Sequence, residues 1–231
     1  MAFYYDPWSK IITRNGYRGD EIISALQKSI RRGLEEEACK FAYEMYISSP
    51  ELEEKMWRRL LTISVEDIGM GNPMAAIMIN NLFEMRKKFD YADGDRPMYF
   101  IHAIRYLCQC EKDRSSDLLK NICIKSFAMG KFPEIPDYAL DKHTVRGKEM
   151  GRDSFHFLNE ASKVIPQAKI NNNYKERYEE ILKEYEEMTD NAKRGLEKKK
   201  QFLYKTCPRI EEIDTELNLT CIKLSKAIIG A

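Results

Sequence analysis

The sequence predicts an all-α protein, in which a helical array is followed by a C-terminal helical hairpin or pair of arms. Apolar residues recur at three- and four-residue spacing along most of the 231 residues, which is the period of a helix that packs on one face. Runs of strictly alternating apolar and polar residues, typical of half-buried strands, are almost absent. Residue-proline pairs and single glycines separate the apolar stripes, where helices begin and end.

Three helices are predicted in the N-terminal part of the chain. The first follows a turn at Gly16, has Asp20 as its N-cap and ends at Gly33. The second begins near Leu34. Ser49-Pro50 supplies the N-cap and first residue of the third, because proline suits a position whose N–H needs no partner. The apolar stripes are Ile22, Ile23, Leu26 and Ile30, then Leu34, Ala38, Phe41, Ala42, Met45 and Tyr46, then Leu52, Met56, Trp57, Leu60 and Leu61.

Three further helices are predicted before residue 131. They begin at Asn72-Pro73, at Pro97 and at Ser115 or Ser116, and Gly130 ends the last. Their apolar stripes are Ile77, Leu82 and Phe83, then Phe100, Ile101, Ile104 and Leu107, then Leu118, Leu119, Ile122 and Phe127. We therefore expect a helical array over the first part of the chain.

A change in composition at Lys131 separates this array from the remainder. Prolines interrupt the helical pattern, a polar and basic stretch runs from 141 to 153, and three asparagines at 171–173 read as a linker. We predict one helical domain over residues 1–166 and a helical extension over residues 174–231.

The extension carries a heptad pattern. Apolar residues from Tyr174 to Ala192 are spaced 4, 3, 4, 3 and 4, the repeat of a coiled-coil seam. Cys207-Pro208 interrupts it, and a second helical stripe runs from Ile210 to Leu224. An isolated helix pair cannot bury its apolar stripe, so we expect this seam to pack on the main body or on another subunit. The candidate seam residues are Tyr178, Ile181, Tyr185 and Met188.

Composition and targeting signals indicate a protein of the cytoplasm. The formal net charge is +1, so any contact with nucleic acid must come from a local patch. The six cysteines match no standard zinc spacing and read as reduced thiols. No signal peptide is evident, and no stretch approaches the roughly 18 apolar residues of a membrane span.

The sequence contains none of the common catalytic motifs. A phosphate-binding P-loop, HExxH, GxSxG and GxGxxG are all missing, and the chain has three histidines. We therefore predict no cofactor and no catalytic residues. The alternative is a metal-assisted enzyme that uses the side chains of Asp137, Asp141, His143 and His156. In the plainer interpretation, Asp141 caps a short helix and His143 hydrogen-bonds the loop.

Clusters of cationic residues suggest a surface for phosphate or for an acidic partner. The densest stretch lies between residues 142 and 152, and two arginine doublets lie earlier. The candidates are Arg31, Arg58, Arg59, Lys142, Arg146, Lys148 and Arg152. The alternative is that these side chains cap helix C-termini and pair with nearby acidic residues.

The most specific run in the sequence extends from Trp57 to Ala75. It combines an amphipathic basic helix, the carboxylate pair Glu66-Asp67, a glycine turn and the start of another helix. Adjacent residues of a helix point about 100° apart, so this pair does not readily converge on one substrate. We expect a charged pair near the helix end that Arg58 or Arg59 holds.

Two segments resemble the C-terminal region of the MgsA/RarA family of replication-associated recombination proteins, AAA+ ATPases related to clamp loaders. The run from Gly19 to Arg31 is similar to the family pattern G-D-x-H-Y-D-x-I-S-A-F-x-K-S-I-R. The run from Arg58 to Pro73 is similar to R-R-L followed by S-E-D-I-G-x-x-D-P. Asn72 replaces the acidic residue before the proline, and Arg32-Gly33 alters the loop after the first helix.

The resemblance implies a post-ATPase oligomerisation domain that assembles tetramers, in proteins that act in DNA replication and repair and contact single-stranded-DNA-binding protein. The family's ATPase module would precede Gly16, so we do not expect ATP hydrolysis here. We predict a non-catalytic homo-oligomer that contacts DNA or a replication partner, with no membrane association. The alternative is a partner subunit of a separately encoded ATPase.

Overall fold

A computed structural model describes the backbone of residues 7–206 and the side chains of residues 7–198. These residues form helices and no strand, apart from one isolated antiparallel bridge between Ile12 and Arg18. The all-α prediction is confirmed. No helix in the described part of the chain is long and apolar enough to cross a membrane.

The chain divides into two compact units, Met1–Phe132 and Pro133–Ala231. This division lies at the change of composition near Lys131, whereas the boundary at 166 to 174 stays a prediction. A 3₁₀ turn at Pro7–Lys10 opens the described part of the first unit. Its helices are α1 (Gly19–Arg31), α2 (Glu35–Ser48), α3 (Pro50–Ile63), α4 (Ala75–Arg86), α5 (Arg96–Gln109) and α6 (Ser115–Ala128).

The ends of α1 and α3 follow from local chemistry. Arg18, rather than the predicted Asp20, is the N-cap of α1, and the Asp20 carboxylate accepts the Glu21 N–H at 3.0 Å inside the first turn. Gly33 has φ of +70°, and this left-handed residue brings the next N–H within 2.9 Å of a carbonyl in the last turn. The Ser49 hydroxyl caps α3 as predicted, at 3.2 Å.

The core of the first unit lies among α1 to α5. Helix α2 packs on α1, α3 and α5, and α4 packs on α5. The predicted stripes of α1, α3 and α5 are largely confirmed, whereas Leu34 and Ile77 are exposed. The largest fully buried side chains are Trp57, Phe100, Leu26, Ile30, Met45, Leu52, Met56, Leu60, Ile63, Ile68, Ile79 and Ile104.

One ion network is buried with this core. Glu53 is almost fully buried and accepts the Arg96 guanidinium at 2.9 Å. Arg86, also buried, lies 3.5 Å from the other carboxylate oxygen and stacks 5.6 Å from the centre of the Trp57 ring. Removing one partner would leave a buried charge unpaired, so these residues tie α3, α4 and the start of α5 together.

Up to residue 206, where the described part of the chain ends, the second unit contains two short α-helices and one long one, α7 (Val145–Glu149), α8 (Ser154–His156) and α9 (Tyr174–Thr206). Thr144 caps α7 by accepting the Gly147 N–H at 3.0 Å, and Asp153 caps α8 by accepting the His156 N–H at 2.8 Å. The predicted break at Cys207-Pro208 and the second stripe lie outside the described residues.

Candidate functional site

Helix α3 ends in a turn that carries the carboxylate pair of the sequence signature. A π-helical turn at Ser64–Ile68 leads into a 3₁₀ turn at Gly69–Gly71. Asp67 is fully buried here, and Glu66 is about a quarter exposed. A buried carboxylate requires partners of opposite charge. The partners come from α1 and from the residue that precedes α6.

We call this group the carboxylate joint and define it as Gln27, Arg31, Glu66, Asp67 and Arg114. The Arg31 Nε donates to Asp67 Oδ1 at 2.7 Å, and the Arg114 Nε lies 3.1 Å from the same oxygen. The Gln27 amide donates to both carboxylates at 3.0 Å. The joint therefore connects three parts of the chain that are distant in sequence.

The expected partners of the carboxylate pair were wrong. Arg58 is largely exposed and lies 3.9 Å from Glu54, one turn away on its own helix. Arg59 donates to the side-chain Oε1 of Gln27 at 3.2 Å and contacts the joint through that side chain. Arg58 and Arg59 lie on α3, whereas the carboxylates follow the end of that helix. There α1 and the residue before α6 lie closer to the carboxylates.

The glycines of the signature allow the chain before α6 to approach closely. Gly69 has φ of +50°, and a Cβ there would lie 2.5 Å from the Asp113 carbonyl oxygen. A Cβ on Gly71 would lie 2.7 Å from the Glu111 carbonyl oxygen. The Asp113 N–H also donates to the Asp67 carbonyl at 3.0 Å. Glycine is therefore required at both positions, because a side chain would push the Glu111–Arg114 loop away.

Two aspartates complete the attachment of α6. Hydrogen bonds from the N–H and hydroxyl of Ser115, at 2.9 and 2.8 Å, lower the pKa of Asp113. A hydrogen bond from Lys120 at 2.6 Å lowers the pKa of Asp117, and Arg114 also lies 2.6 Å from that carboxylate. The first turn of α6 is thus held by ionised carboxylates.

Beyond this attachment α6 is exposed. None of its residues is buried, although half of them are apolar. The predicted stripe does not pack within the first unit, and its members are 54 to 60% exposed. The exposed apolar residues of this helix and the residue after it are Leu118, Leu119, Ile122, Ile124, Phe127 and Met129. We call this set the α6 face.

The candidate cationic residues fall into two groups. Arg31 and Arg59 are used by the carboxylate joint, and Arg58 is exposed. In the second unit, Lys142 donates to the Ser154 hydroxyl at 2.9 Å and lies over the Phe157 ring.

Arg152 pairs with Asp137 at 2.6 Å and also contacts His156. Arg146 and Lys148 on α7 are exposed, and neither forms an ion pair within the described part of the chain. The structure therefore leaves Arg58, Arg146 and Lys148 available to an external anion.

The structure does not bring together the four side chains of the metal site considered as an alternative. Among the described residues, no group of three or more His, Cys, Asp or Glu side chains could hold a metal ion. Arg152 donates to the Asp137 carboxylate and contacts the Nε2 of His156. His143 packs edge-on against Phe157, with 5.1 Å between ring centres. The Asp141 carboxylate accepts the backbone N–H of His143 at 2.9 Å, but the predicted helix cap at Asp141 is wrong, because Thr144 caps α7.

The heptad seam lies on α9 and is exposed. Tyr178, Ile181, Tyr185 and Met188 are 47 to 70% exposed, whereas Leu182 is buried. Leu182 lies one helical turn from both Tyr178 and Tyr185, so it borders the exposed seam.

Sequence reasoning missed Arg114 and Gln27. The polar segment Glu111–Arg114 before an apolar helix could have drawn attention to Arg114. The spacing of residues along the sequence, however, does not show that this segment contacts Asp67. It also missed that the α6 stripe lies outside the core, because periodicity marks an apolar face without identifying what covers it.

Comparison with known proteins identifies the family of this chain. The family model described as "MgsA AAA+ ATPase C terminal" matches residues 36–200. The chain is 30% identical over 132 residues to "Replication-associated recombination protein A" of Bacillus subtilis (strain 168). That alignment covers 57% of this chain and 30% of the relative, so the chain spans less than a third of the relative's length. Because the family model matches well over half of its residues, this chain belongs to the MgsA AAA+ ATPase C-terminal family.

Proposed function

We propose that this chain is a non-catalytic helical module that self-associates through the α6 face and acts in a DNA replication or recombination assembly. The single observation that carries the proposal is the exposure of α6. A helix that is apolar over so much of its surface is normally buried. The printed name of the Bacillus subtilis relative supports the process. A cytoplasmic location without a bound cofactor fits this role.

The size of the α6 face supports an interface. Six large apolar residues that are each more than half exposed present on the order of 600 Å² of surface, at about 100 Å² for each residue. The largest apolar patch of a typical monomer is about 300–600 Å², and patches of that size are often functional. The α6 face therefore lies at the upper end for an isolated subunit.

The α9 seam supplies a second candidate contact. A closed tetramer with dihedral symmetry requires two distinct interfaces, each of which pairs with itself. The α6 face and the seam of Tyr178, Ile181, Tyr185 and Met188 belong to different units of the chain, and both are exposed. We propose that α6 and α9 each form one of these interfaces, which yields the homotetramer that the resemblance implies.

The test is the mass of the purified chain in solution. We expect an oligomer by multi-angle light scattering, and dissociation when acidic residues are placed in the face by Leu119→Asp with Ile122→Asp. Lys125→Glu on the same helix is the matched control, because it adds the same kind of charge at an exposed polar position. Circular dichroism should show unchanged helicity in all three proteins. A monomeric parent at high concentration, or an unchanged mass for the double variant, contradicts the proposal.

Contact with DNA is a second candidate function, favoured by the exposure of Arg58, Arg146 and Lys148. Binding that neutralises phosphates weakens steeply with salt, because counterions are released from the nucleic acid. We expect the triple change to Gln to weaken binding to fork-structured DNA and to flatten its salt dependence. Undetectable binding by the parent at low salt contradicts this candidate.

Two partner proteins remain as alternatives for the same module. A separately encoded AAA+ ATPase is one, because the family model describes the C-terminal part of such an enzyme. Single-stranded-DNA-binding protein is the other, implied by the resemblance. Co-purification of the tagged chain from its own cells, followed by mass spectrometry of the retained proteins, distinguishes them. Retention of an AAA+ subunit supports the first alternative.

A further inference from the structure

A second exposed apolar surface lies on the outer face of α4. Residues 74, 77, 78, 81 and 85 fall within an arc of about 100° at 100° per residue. Four are Met74, Ile77, Met78 and Met85, which are 39 to 58% exposed, and the fifth is an asparagine. We call these four residues, together with Met70 in the preceding turn, the methionine face. It contains no charged residue.

The methionine face begins at the carboxylate joint. Met70 is 71% exposed, and its N–H donates to the Asp113 carboxylate at 3.3 Å. Asp113 belongs to the loop that leads into α6, so the turn that precedes α4 and the loop that precedes α6 are in contact. The structure thus holds two apolar helical faces close to one point and leaves both uncovered in the first unit.

The breadth of the α6 face requires more than one covering surface. Leu118, Ile122, Leu119 and Phe127 spread over about half of the helix circumference. A single neighbouring helix covers a stripe of roughly 100°. If α6 packed only against α6 of another copy, part of its apolar surface would stay in water.

We propose that α6 of one copy packs against the methionine face of a second copy, and that the contact is reciprocal. This proposal rests on the proposed self-association through α6. In a contact with twofold symmetry, the α6 face of each copy meets the methionine face of the other copy, so both faces of each chain are covered. Methionine side chains are flexible and polarisable, so they adapt to the mixed Leu, Ile and Phe surface of α6.

The combined area of the α6 face and the methionine face favours a second copy of this chain over a small binding partner. The methionine face adds five residues with about 100 Å² of exposed surface each. Together the two faces offer on the order of 1,000 Å² per subunit, above the roughly 800 Å² per partner of a stable interface. The α6 face alone falls short of that value. The absence of charge on the methionine face also gives a charged peptide no counter-ion there.

Cross-linking between differently marked copies tests the pairing. Cys123 on α6 is exposed and free. Copies with Ile77→Cys and Cys123→Ser are mixed with parent copies and oxidised mildly, and the linked peptides are identified by mass spectrometry. We expect a disulfide between position 77 of one copy and Cys123 of the other. Links between two copies of Cys123, or between position 77 and a cysteine of its own chain, overturn the proposal.

Mass measurements separate this proposal from the one on which it rests. Met74→Asp with Met78→Asp should reduce the mass as far as the double variant of α6 does, whereas Asn80→Asp, exposed on α4 outside the face, should not. If the α6 variant dissociates the oligomer and the α4 variant does not, self-association stands and the pairing fails. If neither variant changes the mass, both proposals fail. Retained helicity shows that each variant folds.

Discussion

Helices α3 and α6 have the same length, but the apolar side chains of α3 are buried and those of α6 are exposed. Each has 14 residues, each follows a polar segment, and each carries apolar residues on helical spacing. The apolar residues Leu52, Met56, Trp57, Leu60 and Ile63 of α3 are at most 1% exposed. Those of α6 are 54 to 60% exposed. The apolar residues form a sharper stripe on α3 than on α6, and only α3 finds its partners within the first unit.

The difference teaches that amphipathicity specifies a face and not its occupant. Helix α3 lies between α1, α2, α4 and α5, and its burial stabilises the fold. Helix α6 is held at its first turn by the carboxylate joint, while its sides remain open. The sequence signature thus anchors a helix whose apolar side chains stay exposed. Three changes test this contrast.

The largest expected effect comes from shortening one leucine in each helix. Leu60→Ala in α3 leaves a cavity in a fully buried site and should lower the free energy of unfolding by about 2–5 kcal/mol. Leu119→Ala in α6 should change it by no more than about 0.5 kcal/mol in dilute protein, where self-association does not contribute. Urea unfolding measures both. Equal losses would contradict the assignment of α6 as an external surface.

A smaller difference, about 1–3 kcal/mol, is expected between alanine substitutions at two glycines, one that packs on the loop before α6 and one that follows α6. Gly69→Ala combines a positive φ with a Cβ 2.5 Å from the Asp113 carbonyl oxygen. Gly130→Ala has a positive φ and open space around the Cβ. Backbone strain costs on the order of 1–3 kcal/mol at either site, and displacement of the loop adds about 1–3 kcal/mol at Gly69 only. Urea unfolding should therefore show the larger loss for Gly69→Ala, with faster hydrogen exchange in α6. Equal losses would mean that the close approach is unimportant.

The smallest expected effect is a loss of stability in the first turn of α6 at acidic pH. The folded pKa of Asp113 lies below its ordinary value of 3.8, so its ionised form stabilises the folded protein. That contribution is present above about pH 4 and disappears as the pH falls through the lowered folded pKa. Hydrogen exchange in the first turn of α6 should accelerate over this range, and Asp113→Asn should accelerate less. The same change with pH in both proteins would assign the effect to other carboxylates.

Much of the fold could be predicted from the sequence, because helix signals are local. Ser49-Pro50, Gly33 and Gly130 mark helix ends that the structure confirms. Helix α4 begins two residues after the predicted Pro73. The Asn72 side chain accepts the Met74 N–H at 3.2 Å and also donates to the Tyr106 hydroxyl at 3.0 Å. Such a contact, 34 residues away in the chain, has no local signal.

The candidate site was less predictable for the same reason. The carboxylate pair was recognised, but its partners Arg31 and Arg114 depend on how three segments meet. The choice of Arg58 and Arg59 followed closeness in sequence. The exposure of α6 depends on which helices form the core, and the spacing of apolar residues does not show this. Resemblance to a family identified the module, whereas coordinates were needed to separate its core from its surface.

The burial of Trp57 has a spectroscopic consequence. The chain has two tryptophans, Trp8 and Trp57, and both belong to the first unit. Trp57 is fully enclosed with a guanidinium near its ring, so its fluorescence reports on the core around α3. The second unit contributes no indole emission. Fluorescence and circular dichroism, followed together during denaturation, therefore separate the melting of the first unit from that of the long α9.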